Sequence, residues 1–458
     1  MSRRCSALLP LLLLVTPLGA QDLAARADSI LKAYAGSDAP GCAAAIDTGG
    51  SVAYRGAAGL AELEFGAPIT VGTIFEAGSV SKQFTAASVL LLEARGLLSL
   101  EDTLQRWFPE IPVYAAPITI RHLMLHTSGL RDWGSVMGLA GWGRWTASYG
   151  QDDALAIIAR QRGLNHPTGE AFSYTNSGYN LLAILVERVS GRSFEDFMRT
   201  EFFEPLGMRH TSWRGDYTRL VPGRAQAYAP SAGTWVLAMP FENAIGNGGL
   251  LTTVEDLLTW TRALHDGRLG RPDISRAMLT EGRFNDGRPV GYGGGLFLSP
   301  MRGVPSVNHG GATAGYRAFL GTFPAQRVMV AILCNRADAN TTRLMLDLLA
   351  PVVPFEPQQP TAASAAAVVP RVDPARLPEY AGRFHSDEVP ATLTVGLRNG
   401  GLSVSRKPGD RVALRAVGTD EFAGGGTAYR FVRGAGGRVE AVIVTTSRVV
   451  DLRFDRIE

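Results

Sequence analysis

Ser79-Val80-Ser81-Lys82 sets a hydroxyl and an amine three residues apart at the head of an apolar run. On a helix this spacing puts both side chains on one face, about a turn apart. Serine is a weak nucleophile until a base takes its proton, and lysine becomes that base when burial or the positive end of a helix weakens its hold on its own proton. The unpaired N–H groups of a helix start also help to hold an oxyanion. The pattern alone is unselective: Ser29-Ile30-Leu31-Lys32 repeats it in what reads as an exposed first helix, and that copy is taken as coincidence. Taken alone, Ser79 also reads as a helix N-cap and Lys82 as a solvated charge. Composition sharpens the choice. Of 45 basic residues only Lys32, Lys82 and Lys407 are lysines, so each invites the question of what it does.

Two further groups can join the same chemistry. Tyr174-Thr175-Asn176 sits in a polar turn, 173–178, ahead of an apolar run from Tyr179 to Val189. A phenol beside a lysine can pass a proton between nucleophile and leaving group, and an amide can orient both lysine and substrate. His309-Gly310-Gly311 opens a strand whose side-chain-free positions let a substrate backbone lie along a sheet edge.

The elements that must position these groups are legible in outline. A helix is predicted from Asp22 to Tyr34, then strands from Gly41 to Ile46 and Ser51 to Gly59 around a Thr48-Gly49-Gly50 turn. The stretch from Phe84 to Leu92 is apolar almost all round, which marks a buried helix, and Gly96 stops it. A mostly helical middle reaches about residue 265. Strand patterns return at Val307 to Asn308, Arg317 to Phe323 and Arg327 to Cys334, and a helix fits Asn340 to Leu349. The middle therefore interrupts a sheet whose strands come from both ends. A Pro- and Ala-rich linker follows at 351–374, and alternation around the Asn399-Gly400 turn predicts a small β-barrel or sandwich over 375–458.

Together and in this order, the three motifs resemble the serine β-lactamase and DD-peptidase superfamily, in its branch of class C β-lactamases, D-aminopeptidases and related esterases. The resemblance covers about residues 22–350. Weaker echoes lie at Leu98 to Asp102, Ile118 to Leu123, His126-Thr127-Ser128-Gly129-Leu130, Gly246-Asn247-Gly248-Gly249-Leu250 and Gly291-Tyr292-Gly293. It implies an α/β fold of β-lactamase/transpeptidase type, an antiparallel sheet flanked by helices with an inserted helical region, over residues 21–350. It also implies roles: Ser79 attacks the carbonyl, Lys82 and Tyr174 share the proton work, Asn176 holds the substrate amide and His309 assists from the strand. The backbone N–H groups of Ser79 and Ala312 form the oxyanion hole, with Gly310 and Gly311 along the substrate. The C-terminal segment, with Tyr380-Ala381-Gly382-Arg383-Phe384, resembles the lipocalin-like domains appended to some of these hydrolases, as a roof for the cleft that limits substrate size, a mediator of oligomers or a passive appendage.

The departures matter too. Many β-lactamases have Lys-Thr-Gly where this chain has His309-Gly310-Gly311, and the carboxypeptidases place hydroxyls near that glycine, where this chain has Gly310 and Ala312. Without them the strand holds a substrate carboxylate weakly, which favours an ester, amide or D-amino-acid peptide over a β-lactam or a terminal D-Ala-D-Ala; Arg317 is read as a surface residue. The expected enzyme is a serine hydrolase working through a Ser79 acyl-enzyme. The alternatives are a true class C-like β-lactamase or DD-carboxypeptidase, and a sensor that recognises penicillins or muropeptides with little turnover. The family layout places the first strand antiparallel beside the last, so that Cys42 and Cys334 are candidates for a disulfide, with two free thiols as the alternative.

Other features bound the function. Arg3 and Arg4, the apolar stretch from Ser6 to Leu18 and a small residue at Ala20 have the order of a secretory leader over residues 1–20, so a periplasmic or secreted protein with no transmembrane anchor is expected. A net charge of +3 with 19% charged residues gives no basis for nucleic-acid binding. No phosphate loop, dinucleotide fingerprint or Gly-x-Ser-x-Gly elbow occurs, and no cofactor is expected. His122 and His126 are four apart, but no Glu follows His122, and we read them as structural rather than as metal ligands. Trp133, Trp142 and Trp145 form either an aromatic wall for an apolar substrate group, with Trp133 the first candidate, or pins for a long loop. The expected partner is a small molecule or short peptide.

Overall fold

The computed structural model describes residues 20–36, 38–144, 146–358 and 372–458. The expected leader lies outside this range except for Ala20, and so do Trp145 and much of the Pro/Ala-rich linker.

Helix α1 (Ala20–Ala35) leads into strands β1 (Cys42–Thr48) and β2 (Ser51–Ala58), joined by the predicted glycine turn. Helix α2 (Lys82–Ala94) follows a single 3-10 turn, Gly78–Ser81, and is buried from Lys82 to Leu92. Helix α3 (Asn176–Ser190) is capped by the Thr175 hydroxyl, which accepts from the Ser177 N–H, and ends at Gly191 in the left-handed region. Helix α4 (Val254–His265) stacks Trp260 on Phe84 of α2. The chain then returns to the sheet as β3 (Val307–Thr313), β4 (Tyr316–Phe323) and β5 (Val328–Cys334), followed by α5 (Thr341–Leu349). The five strands run antiparallel in the order β3-β4-β5-β1-β2, so both ends of the catalytic unit build one sheet, as expected.

Period-two alternation splits the central strands between two cores. Ala43, Ala45, Ala331 and Leu333 face the helical body with Phe84 and Trp260, whereas Ala44, Ile46, Val330 and Ile332 face α1 and α5. Both faces of the sheet are covered, which is why β1 is almost wholly apolar. Cys42 and Cys334 stand opposite each other in the β1–β5 register and are bridged.

The C-terminal unit is a closed barrel of eight antiparallel strands, not a sandwich. These are β6 (Gly382–His385), β7 (Thr392–Arg398), β8 (Gly401–Ser405), β9 (Val412–Gly418), β10 (Glu421–Gly424), β11 (Thr427–Arg433), β12 (Val439–Thr445) and β13 (Leu452–Arg456), with β13 closing on β6. Asn399 and Gly400 both have positive φ, as a two-residue hairpin turn between β7 and β8 requires. Phe384, Val395, Val404, Phe422, Phe431 and Phe454 are buried in this unit.

The barrel is docked on the catalytic unit. Arg131, buried in the catalytic unit, pairs with Glu388 at 2.7 Å and donates to the Val450 and Asp451 carbonyls. Glu388 also accepts from the N–H groups of Arg162 and Gly163. Arg406 of the barrel donates to the Gly138 carbonyl, and the Lys407 ammonium lies 4.1 Å from the Trp142 ring. Trp142 and Lys407 thus pin a loop across the domain boundary.

Candidate active site

Ser79 sits in the 3-10 turn ahead of α2, partly exposed, with buried residues on either side. It is not an N-cap; the turn is tied by Ser81, whose hydroxyl donates to the Gly78 carbonyl. Lys82 is the first residue of α2 and has no exposed surface. Its ammonium position donates to Ser79 Oγ at 3.2 Å, Asn176 Oδ1 at 3.0 Å and the Asn247 carbonyl at 2.8 Å. Burial pushes the Lys82 amine well below the usual lysine range, and the charges of Arg144 and Arg448 add to it. Three acceptors therefore fix an amine that holds its proton loosely.

Tyr174 lies opposite, its ring centroid 4.9 Å from Lys82 Nζ and its phenol facing Ser79. Burial raises the phenol above its ordinary range, so it stays neutral. Asn176 is locked through its backbone, whose N–H donates to Asp132 Oδ2 at 2.8 Å. Ser79, Lys82, Tyr174 and Asn176 thus come together from two distant segments.

The strand motif divides. A Cβ on Gly311 would lie 2.0 Å from the Ala77 carbonyl oxygen, and one on Gly78, at φ +51°, would lie 2.7 Å from the Ala312 nitrogen. The two glycines let β3 close onto the Ser79 turn and bring the Ala312 N–H beside it. Gly311, half-buried on this edge strand, is therefore held to glycine by packing against Ala77. Gly310 and Ala312 are exposed on β3, the edge strand of the sheet.

His309 makes no hydrogen bond to Ser79, Lys82 or Tyr174, although its ring lies 6.0 Å from that of Tyr174. It is buried, with Nδ1 donating to the Gly310 carbonyl and Nε2 accepting from the Tyr292 hydroxyl at 3.2 Å. Burial and the nearby Lys82 push its imidazole down to about 3, which keeps it neutral. Trp133 is a correction too. It has no exposed surface, its Nε1 donates to Asn180 Oδ1 at 2.8 Å and its ring meets Tyr149 edge-on, so it anchors the loop to α3 and forms no wall of the cleft. Arg317 is tied to the Ala314 and Tyr316 carbonyls.

The weaker echoes supply the supporting layer. Asn247 lends its carbonyl to Lys82 and Tyr292 its hydroxyl to His309. His126, fully buried at φ +58°, holds the turn that carries Tyr174: its carbonyl accepts from the Ser173 N–H, its Nδ1 from the Thr175 N–H, and its ring lies 4.3 Å from that of Tyr174. His122 caps the short helix Ile120–Met124. Among the described residues no group of three or more His, Cys, Asp or Glu side chains is placed to hold a metal.

Arg448, which nothing in the sequence singles out, comes from the barrel. It lies on the β12–β13 loop, with its guanidinium carbon 5.1 Å from the centre of the Tyr174 ring and Nη1 3.8 Å from Asp132 Oδ2.

The family model described as Beta-lactamase matches residues 27–353. The chain belongs to the beta-lactamase family. It is a serine hydrolase of that fold. Penicillin-binding protein 4* of Bacillus subtilis is 32% identical over 311 residues, 63% of this chain and 67% of that protein. A D-aminopeptidase of Gluconobacter oxydans is 30% identical over 331 residues, 70% of this chain; the chain spans 62% of that relative's length. The D-amino acid amidase of Ochrobactrum anthropi superposes with a TM-score of 0.62 at 23% identity, over 72% of this chain and 98% of that one.

Proposed function

We propose that this beta-lactamase-family chain is an exported hydrolase that cleaves the amide or ester bond of short D-amino-acid peptides, amides and esters through an acyl-enzyme on Ser79. The carrying observation is the buried Lys82 amine, bonded at once to Ser79 Oγ, Asn176 Oδ1 and the Asn247 carbonyl.

Lys82, the group whose burial favours its neutral form, takes the Ser79 proton as Oγ attacks the carbonyl. The neutral Tyr174 phenol, facing Ser79, passes a proton to the departing amine or alkoxide and takes one back in exchange from Lys82. The N–H groups of Ser79 and Ala312 hold the oxyanion, a pair in which loss of one donor costs about 3 kcal/mol. Water then attacks the ester by the reverse route, with Lys82 as base. Asn176 orients the lysine and the acyl group, and His309 acts from behind as a positioning residue. The strand lacks hydroxyls at Gly310 and Ala312, and the buried, neutral His309 presents no charge, so β3 itself offers no side-chain partner to a substrate carboxylate. Export is supported by the leader pattern and by the Cys42–Cys334 bridge, which suits an oxidising compartment.

The test is to treat the protein with a fluorophosphonate and, separately, with a labelled penicillin, locate any adduct by mass, and assay D-amino-acid amides and short-chain esters alongside Ser79→Ala. A Ser79 adduct with turnover lost in Ser79→Ala is expected. Absence of both adduct and turnover overturns the reading, and a penicillin adduct that never clears, without amide or ester turnover, favours a sensor.

A further inference from the structure

The catalytic unit offers a substrate carboxylate no side-chain anchor on β3, yet a positive charge stands in the cleft. Arg448 reaches it from the barrel. Its side chain is 39% exposed, and among the described residues its guanidinium makes no hydrogen bond. Its nearest carboxylate oxygen, Asp132 Oδ2, is 3.8 Å away and already accepts from the Asn176 N–H at 2.8 Å. A guanidinium carries five N–H donors in a planar fork that matches a carboxylate. Here the fork lies over the ring of the residue that serves the leaving group.

The loop that carries it is held rather than loose. Asn165 of the catalytic unit clamps it from both sides, Nδ2 donating to the Arg448 carbonyl at 3.1 Å and Oδ1 accepting from the Val450 N–H at 2.8 Å. The Asp132 N–H also donates to the Arg448 carbonyl. Arg131 holds the Val450 and Asp451 carbonyls, so the loop backbone from 448 to 451 is tied to the same segment that orients Asn176.

We infer that Arg448 is the anion-binding residue of this cleft, taking a free carboxylate on the departing part of the substrate, and that Asn165 is the residue that positions it. The α-carboxylate of a departing amino acid lies two bonds from the nitrogen that leaves. This short offset corresponds to the step from the Tyr174 hydroxyl, at the leaving atom, to the guanidinium over its ring. The substrate class is then a short peptide or amino-acid derivative with a free C-terminal carboxylate, and the barrel is a working wall of the site. The inference rests on the Ser79 acyl-enzyme reading.

Two activated probes separate the two claims: the thioglycolate and thioglycolamide thioesters of the same N-acyl-D-alanine, which release a thiol that is measured directly. They share the acyl group and the scissile bond and differ only in a carboxylate against a carboxamide two bonds from the leaving sulfur. The intact protein is expected to prefer the carboxylate by about tenfold or more in kcat/KM, the worth of charge-assisted hydrogen bonds. Arg448→Ala should reduce that preference to about twofold or less, and Arg448→Lys, which keeps the charge but not the fork, should fall between. Asn165→Ala should lower the ratio in the same direction while Arg448 itself remains. No turnover of either thioester by the intact protein removes the acyl-enzyme reading. Turnover with no preference, or a preference unchanged in Arg448→Ala, overturns the assignment of Arg448. A ratio unchanged in Asn165→Ala overturns its positioning role.

Discussion

Acidification from pH 6.5 to 4.5 should destabilise this protein mainly through two histidines at the active site. His309 is buried with both ring nitrogens engaged as a neutral imidazole, and its folded-state pKa is pushed down to about 3 by burial first and by Lys82 second. His126 is held well below its ordinary range by burial, then by the charges of Lys82, His309 and Arg448; a proton on its Nδ1 would also expel the Thr175 N–H that it accepts. In the unfolded chain both titrate near 6.5. Across the window the unfolded state therefore binds more protons than the folded one, so stability rises with pH and is lost as pH falls. For His309 the slope approaches 1.4 kcal/mol per pH unit, which integrates to about 2.3 kcal/mol between pH 6.5 and 4.5, and His126 adds in the same direction. The ion-paired carboxylates held low, such as Asp102, Glu110, Glu201 and Asp420, lose their contribution only further down. His122 and His265, also shifted down by burial, add in the same direction, whereas Glu187 and Asp256, shifted up by burial, oppose it. Comparison with a variant cancels these background groups. Urea unfolding of the oxidised protein at a series of pH values, alongside His309→Gln, should show the variant's slope shallower by about one histidine, near 1.4 kcal/mol per unit. Equal slopes, or a protein that gains stability on acidification, would refute the reasoning.

Three further outcomes are expected. Gly311→Ala places a methyl 2.0 Å from the Ala77 oxygen, so β3 must move off the Ser79 turn; a loss of several kcal/mol in stability, or a hundredfold loss in kcat with Ala312 displaced, is expected on the order seen for overpacking and for lost oxyanion donors, and would be read by thermal unfolding and steady-state kinetics. Replacing Cys42 and Cys334 together by serine opens a link between residues 292 apart, which chain entropy values at about 6 kcal/mol, and unchanged urea midpoints for the variant and the oxidised protein would contradict it. His126→Asn tolerates the positive φ but removes the ring beside Tyr174; kcat should fall by roughly ten- to a hundredfold with little change in KM, since small misplacements of a proton-transfer group cost that much. An unaltered kcat would show that the turn holds Tyr174 without it.

How much of this was legible in the chain depends on the range over which each signal acts. Ser79 and Lys82 lie within one turn, and Tyr174 and Asn176 within another, so local spacing and the family pattern were enough to name them. The same holds for the Asn399-Gly400 hairpin and the glycine turn between β1 and β2, where backbone conformation is a local matter. Strands β9 and β10 carry little periodic signal of their own; what makes them strands is pairing with neighbours already in place. His126, Asn247 and Tyr292 stood only as faint echoes, since a carbonyl or a buried ring leaves no periodic trace.

The sequence by itself determined the Ser79–Lys82 pair and the Tyr-x-Asn turn, because each follows from residue types at short spacing, and strand patterns near both ends of the unit marked its sheet. Tertiary structure alone decided the rest. Trp133 proved to be a packing residue, Gly311 is closed against Ala77, His309 is bonded to Tyr292, and a barrel arginine more than 250 positions from the Tyr-x-Asn turn rests over Tyr174. Burial and charge act through space, and the folded chain sets which groups share that space.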